Sequence, residues 1–364
     1  MHPEFQRLMS EANRLTRAGD LHAATAAIQS ALGIGRTPAA NDGALRTGAD
    51  EVVDVQARTV ADAAPALPGV VADTGRTAID TGAPAQFTAG SFATKAGRRD
   101  YKLFVPAGAG SQPLPLVVML HGCTQDPDDF AAGTAMNELA QAQGFCVLYP
   151  AQSQQANPQR CWNWFKHSHQ ERGRGEPALL AGMTHQVMEQ HAIDADRVYV
   201  AGLSAGGAMA AILGDTYPDL YAAVGVHSGL AAGSASDLPS ALAAMQGKSG
   251  RARTSARHVP TIVFHGDADS TVHPSNGEQV AAASSPGAGA PDVQQHEQAG
   301  KRRSTRRVHR DATGKVLAEH WVVHGAAHAW SGGSARGSYT DARGPDASIE
   351  MLRFFMEHPR RPAQ

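Results

Sequence analysis

A serine lies at the centre of a run of small residues, Gly202-Leu203-Ser204-Ala205-Gly206. The G-x-S-x-G spacing is typical of a nucleophile elbow, a sharp strand-to-helix turn that projects a serine hydroxyl above a sheet edge. An apolar run, 198–200, suits a buried strand before it, and 208–213 suits a helix after it. Ser204 is therefore the candidate nucleophile for acyl transfer. The alternative is an ordinary turn, because the 364-residue chain contains 38 Gly.

A serine nucleophile needs a base within hydrogen-bond reach and a carboxylate that holds this base in the right tautomer. In an elbow fold the chain order is serine, acid, histidine. His328 suits the base, because it lies in a Gly/Ala-rich loop after the last predicted strand. Two candidate acids, Asp267 and Asp269, follow the strand predicted at 261–265. Asp269 lies further into the loop and can reach sideways to His328, whereas Asp267 can cap the turn.

The elements that must position these side chains alternate along the chain. Apolar runs predict strands at 116–120, 145–149, 197–201, 222–227, 261–265 and 320–324, and two short strands around an Ala96-Gly97 turn within 91–106. Helical spacing predicts helices at 126–143, 177–191 and 346–358. Such alternation is typical of a mainly parallel sheet covered by helices on both faces, with the active site at the carboxyl ends of the strands.

The composition divides the chain into three parts. Helical spacing at 1–34 predicts a small helical hairpin, interpreted as a docking or solubilising appendage. Residues 35–90 are rich in Ala, Gly, Pro, Thr and Asp, which predicts a flexible linker. The catalytic domain is predicted to span 91–360.

Several partner classes are disfavoured by charge and pattern. The net charge of -2 and the 18% charged residues suggest neither nucleic acid nor a membrane surface. The basic run at 301–310 is interpreted as the solvated face of a β-hairpin. No metal-ligand spacing is found, so we expect no metal. No apolar run reaches transmembrane length, so we expect no membrane span. Glu4, Arg7 and Glu11 interrupt the place of a signal-peptide core, which predicts a cytoplasmic protein.

Five motifs between 91 and 358 resemble those of α/β-hydrolases, and more narrowly of the polyhydroxybutyrate depolymerase-like esterases, which are related to feruloyl and acetylxylan esterases. In chain order these motifs are LHGCTQ at 120–125, CWNWF at 161–165, GLSAGG at 202–207, HGDAD at 265–269 and GAAHAW at 325–330. The resemblance implies an α/β-hydrolase fold, Asp269 as the acid, and backbone N–H groups of Cys123 and Ala205 as the oxyanion hole. It implies esterase activity without a cofactor.

The resemblance leaves the substrate open. Short-chain 3-hydroxyalkanoate polyesters or oligomers are the first expectation, and acyl esters of plant polysaccharides the alternative. A catalytically silent binding protein, docking partners through its N-terminal helices, is a hypothesis from another class. Many members of the family are extracellular, which is the alternative to a cytoplasmic location.

Aromatic and cysteine residues carry two further expectations. Trp162, Trp164 and Trp330 are candidates for a substrate wall, with core packing as the alternative. Cys161 could pair with Cys123, although a cytosolic setting argues against this disulfide. Cys146, inside a predicted strand, is interpreted as an inert buried thiol.

Overall fold

The computed structural model describes residues 84–94, 97–110, 112–248 and 258–360. The helical hairpin predicted at 1–34 and nearly all of the linker predicted at 35–90 lie outside these residues. The first strand begins at Gln86, five residues before the start of the predicted catalytic domain at 91. The five additional residues are in the sheet because they pair with the next strand, Gln86 opposite Val105.

One large sheet dominates the described residues. Its strands, in chain order, are β1 Gln86–Thr94, β2 Gly97–Val105, β3 Leu114–Leu120, β4 Cys146–Pro150, β5 Ile193–Leu203, β6 Ala223–His227, β7 Thr261–Gly266, β8 Asp292–His296, β9 Ser304–Arg310 and β10 Val316–Val323. A small second sheet pairs β11 Trp330–Ser331 with β12 Thr340–Asp341. Every strand that the sequence predicted is present.

The strand order of the large sheet is β1-β2-β4-β3-β5-β6-β7-β10-β9-β8. The central strands, from β4 to β10 in this order, are parallel, and antiparallel strands extend both edges. Parallel strands bring their carboxyl ends to one edge of a sheet, where loops from separate parts of the chain meet. The loops that carry Cys123, Ser204, Asp269 and His328 all leave from this edge, after β3, β5, β7 and β10.

Helices cover both faces of the sheet. They are α1 Pro127–Thr134, α2 Met136–Gln143, α3 Gly175–Gln190, α4 Ala205–Thr216, α5 Leu238–Met245, α6 Ser275–Ser284 and α7 Ala347–Glu357. The single helix predicted at 126–143 is wrong: it is two helices, because Ala135 adopts a left-handed conformation with φ 52°. A hydrophobic pattern continues across such a residue, so the break is invisible to periodicity. The sequence also missed α5 and α6.

Strand β5 shows why the sheet forms. Val198 and Val200 pack into the cluster under α3 to α6, whereas Tyr199 and Ala201 point to the opposite face. Tyr199 stacks on Phe355 of α7 with ring centroids 4.9 Å apart. A strand buried on both faces is continuously apolar, which is the pattern read from the sequence. None of the helices within the described ranges is long and apolar enough to cross a membrane.

The basic run forms the predicted hairpin, in which β9 pairs antiparallel with β10. Its charges are largely neutralised within the fold. Arg306 Nε lies 2.9 Å from Oε2 of the buried Glu319, and Arg310 Nε lies 3.1 Å from Asp292 Oδ2. Paired arginines on a hairpin do not present the open cationic surface that binds a phosphate backbone.

Candidate active site

Ser204 lies in a strained turn between β5 and α4. Its backbone has φ 58° and ψ −119°, outside the regions that residues with a Cβ normally occupy. The flanking glycines are required by close backbone approach: a Cβ on Gly206 would collide with the Leu120 carbonyl, and one on Gly202 with the backbone of Gly206. The sequence thus forms the predicted elbow. Because Gly206 has no Cβ, the backbone at the end of β3 can lie directly against it.

The base loop, the segment after β10 that carries His328, is tied to the elbow through His227, at the end of β6. Its carbonyl accepts a hydrogen bond from the Ser204 N–H at 2.9 Å, and its Nε2 accepts one from the Ser331 N–H at 2.9 Å. Burial lowers the pKa of His227 to about 3, so the ring is neutral and its proton lies on Nδ1. No sequence motif marked this residue, because a lone histidine at a strand end has no distinctive spacing.

His328 and Asp269 are brought together across the β10 and β7 loops. His328 Nδ1 lies 2.7 Å from Asp269 Oδ2, while Asp269 Oδ1 accepts hydrogen bonds from the N–H groups of Thr271 and Val272, both at 2.9 Å. Burial raises the pKa of this carboxyl, but hydrogen bonds from His265 and His328 outweigh it and hold the pKa of Asp269 well below its usual range. Asp269 is therefore an ionised, fully held carboxylate.

Asp267 has a separate histidine partner. Its Oδ2 lies 2.7 Å from Nδ1 of His324, and its Oδ1 accepts a hydrogen bond from the Gly325 N–H at 2.6 Å. These contacts fasten the loop after β7 to the start of the loop after β10, which differs from the expected capping of its own turn. The carboxylate that accepts N–H groups within that turn is Asp269. The two carboxylates thus contact different histidines, and His328 contacts Asp269.

The loop after β3 places the second predicted oxyanion donor. Gln125 Oε1 accepts a hydrogen bond from the Gly122 N–H at 2.9 Å, and the Trp162 indole donates to the His121 carbonyl at 3.1 Å. Within the described residues, nothing accepts a hydrogen bond from the Cys123 N–H. The Ala205 N–H is the first of α4 and has no carbonyl one turn back within its helix. As far as the described residues show, both groups are thus available to bind an oxyanion.

Cys123 and Cys161 form a disulfide, the pairing that the sequence left open. The argument against it rested on a cytosolic compartment and not on geometry. The bond joins the oxyanion loop, residues 121–125 after β3, to the CWNWF segment. The two cysteines are 38 residues apart in the chain. Cys146 is free and buried, and burial raises the pKa of its thiol to about 11, as expected for an inert cysteine.

A buried glutamate that the sequence did not reveal supports this disulfide-linked segment. Glu176 accepts hydrogen bonds from the Asn163 N–H at 2.7 Å and from Asn163 Nδ2 at 2.8 Å. The Nη2 atom of Arg99 lies 3.3 Å from Glu176 Oε1. Burial raises the pKa of Glu176, but hydrogen bonds from His169, Gln152 and Asn163 outweigh it and lower the pKa below its usual range. An ionised carboxylate with this many donors fixes the CWNWF segment beneath the oxyanion loop.

The three tryptophans predicted as candidates for a substrate wall are buried. Trp162 and Trp330 are 0% and 1% exposed, and Trp164 is 5% exposed. Trp330 stacks on His227 and donates its indole N–H to Ser348 Oγ at 3.0 Å. Because these rings are enclosed by the fold, Trp162, Trp164 and Trp330 all belong to the core, the alternative that the sequence left open.

The strand order, the helices on both faces and the left-handed serine turn define an α/β-hydrolase fold. An acetyl xylan esterase from Aspergillus awamori has the same fold, with a TM-score of 0.57 at 19% identity over 74% of this chain and 99% of that one. Residues 99–307, more than half of the chain, match the family described as Esterase PHB depolymerase. The protein therefore belongs to the PHB depolymerase esterase family, as the motifs predicted.

Two curated relatives fit this assignment. Poly(3-hydroxyalkanoate) depolymerase C of Paucimonas lemoignei is 34% identical over 199 residues, 51% of this chain and 48% of the relative. Feruloyl esterase B of Thermothelomyces thermophilus is 33% identical over 140 residues, 38% of this chain and 47% of the relative. The chain thus spans about half the length of each.

The disulfide provides a first prediction. Cys161→Ser should lower the free energy of unfolding by about 3–4 kcal/mol, since the bond closes a long loop in the unfolded chain. It should also lower kcat for p-nitrophenyl butyrate by up to about 10²-fold, because the N–H of Cys123 loses its fixed position. Denaturant unfolding and steady-state kinetics measure both effects. Dithiothreitol should cause the same losses of stability and kcat in the native protein and should have no effect on Cys161→Ser. Unaltered stability and kcat in the variant would contradict the prediction.

Proposed function

We propose that this protein is a serine carboxylesterase that works through an acyl-enzyme without a cofactor. Ser204 Oγ attacks the ester carbonyl while His328 Nε2 accepts its proton, and Asp269 stabilises the resulting imidazolium. The N–H groups of Ala205 and Cys123 bind the oxyanion of the tetrahedral intermediate. His328 then protonates the departing alcohol, and water, activated by the same histidine, hydrolyses the acyl-enzyme.

The observation that carries this proposal is the 2.7 Å contact between His328 Nδ1 and the buried carboxylate of Asp269. An ionised carboxylate can only accept, so it holds the proton of the neutral imidazole on Nδ1 and leaves the Nε2 lone pair free. That tautomer is the one a general base needs. The other components of acyl transfer are the strained serine turn and the N–H groups of Ala205 and Cys123, which have no acceptor among the described residues.

A fluorophosphonate probe tests the nucleophile directly, because only an activated serine reacts quickly. Rapid labelling that Ser204→Ala abolishes supports the esterase. A native protein that resists labelling would instead favour the catalytically silent binding protein.

For the substrate, we propose short-chain 3-hydroxyalkanoate polyesters or their oligomers. The support is the family and the name of the relative from Paucimonas lemoignei. The feruloyl esterase relative keeps acylated plant polysaccharides as the alternative. A panel of 3-hydroxybutyrate oligomers, methyl ferulate and acetylated xylan separates them by kcat/KM; a clear preference for either of the last two would overturn the first assignment.

The Cys123–Cys161 disulfide also bears on location. Structural disulfides persist mainly in oxidising compartments. This favours the extracellular alternative over the cytoplasmic one for the site where the enzyme acts.

A further inference from the structure

Tyr339 is an exposed aromatic residue in an unfavourable backbone conformation. The residue is 47% exposed, and its backbone φ of 51° lies in the left-handed region. A bulky residue rarely adopts this conformation, and such strain concentrates at ligand and catalytic sites. The position therefore requires a reason that core packing does not supply.

Two hydrogen bonds place Tyr339 between the base loop and the oxyanion loop. Its carbonyl accepts from the Trp330 N–H at 2.7 Å, two residues beyond His328. Its hydroxyl lies 3.2 Å from Oγ1 of Thr124, the residue after Cys123. The residue thus bridges the loops that carry the proposed base and an oxyanion donor.

The direction of the hydroxyl contact follows from the next bond. Thr124 Oγ1 donates its single hydrogen to the Cys123 carbonyl at 2.6 Å. The Tyr339 hydroxyl must therefore donate to Thr124, and its proton is committed to the protein. What Tyr339 offers a ligand is mainly the face of its ring.

The neighbouring residue holds this segment rigidly. Ser338 donates its N–H to Asp129 Oδ1 at 2.8 Å, and its carbonyl accepts from Gln125 Nε2 at 3.2 Å. Gln125 is the same side chain that holds the Gly122 N–H. A ring fixed by this network can contact a substrate with little loss of conformational entropy.

We propose that the ring of Tyr339 forms a wall of the substrate site and sets the preference for esters with an apolar acyl chain. The inference deepens the proposed esterase function and rests on it. The methyl and methylene groups of a short acyl chain pack against the ring face, so longer chains within the site gain binding that an acetyl group does not. The exposed ring occupies the role that the buried tryptophans cannot.

The test compares kcat/KM for p-nitrophenyl butyrate and p-nitrophenyl acetate in variants of the full chain. Tyr339→Ala should reduce the butyrate-to-acetate ratio roughly threefold to tenfold, mainly through KM for butyrate. Tyr339→Asn should do the same, and asparagine tolerates the left-handed backbone, so misfolding is separated from loss of the ring. Tyr339→Phe should keep the ratio, because it keeps the ring.

Val293→Ala is the matched control, since Val293 is an exposed apolar residue on the edge strand β8, and its ratio should not change. An unaltered ratio in both ringless variants, or an equal loss for both esters, would overturn the wall. Failure of the proposed function looks different: the native protein itself would then show no ester hydrolysis beyond that of Ser204→Ala. That result would remove both proposals together.

Discussion

Ser204→Ala is expected to abolish hydrolysis of p-nitrophenyl butyrate, with kcat falling by about 10⁶-fold, because no other group can form the acyl-enzyme. His328→Ala should cause a loss of similar size, since Ser204 then lacks its base. Steady-state kinetics at high enzyme concentration measure both losses. Neither variant should unfold: Ser204 retains its backbone bond to His227, and circular dichroism provides the check.

The double variant is the sharper measurement. Because nucleophile and base act as one unit, removing both should cost no more than removing either. His324→Ala is the matched control, since His324 also contacts a carboxylate, in this case Asp267, and should retain most of the activity. Losses that multiply in the double variant would contradict the assignment of Ser204 and His328 to one catalytic unit.

Asp269→Asn is expected to lower kcat by about 10⁴-fold, the loss known for the equivalent change in the serine-protease triad. The asparagine amide can donate to His328 Nδ1, which moves the imidazole proton to Nε2 and removes the base. The volume of the side chain is unchanged, so KM should change little. Kinetics with p-nitrophenyl butyrate measure the two constants separately.

Asp267→Asn is the control for this change, two residues away in the same loop. It alters the contacts to His324 and Gly325, so we expect a loss of stability of about 0.5–2 kcal/mol with kcat nearly unchanged. Thermal or denaturant unfolding measures that loss. If Asp267→Asn carries the catalytic loss and Asp269→Asn only the loss of stability, the roles are reversed. If neither lowers kcat, the acid lies elsewhere.

The sequence by itself determined the elbow and the sheet. Both depend on local rules. Glycine is needed where two backbones approach closely, as at Gly202 and Gly206, and strands buried on both faces must be continuously apolar. Motif order also indicated Ser204, Asp269 and His328 as the candidate triad. Each of these inferences uses residues near in the chain, or a spacing that the fold family shares.

The tertiary structure decided what depends on distant contacts. The sequence favoured Asp269 over Asp267 but did not show a partner for either, and only the approach of the β10 loop gives each its own histidine. The Cys123–Cys161 disulfide and the buried Glu176 join segments that no periodicity relates. Burial of Trp162 and exposure of Tyr339 follow from how loops stack over the sheet, because the side-chain type alone does not fix which aromatic faces solvent.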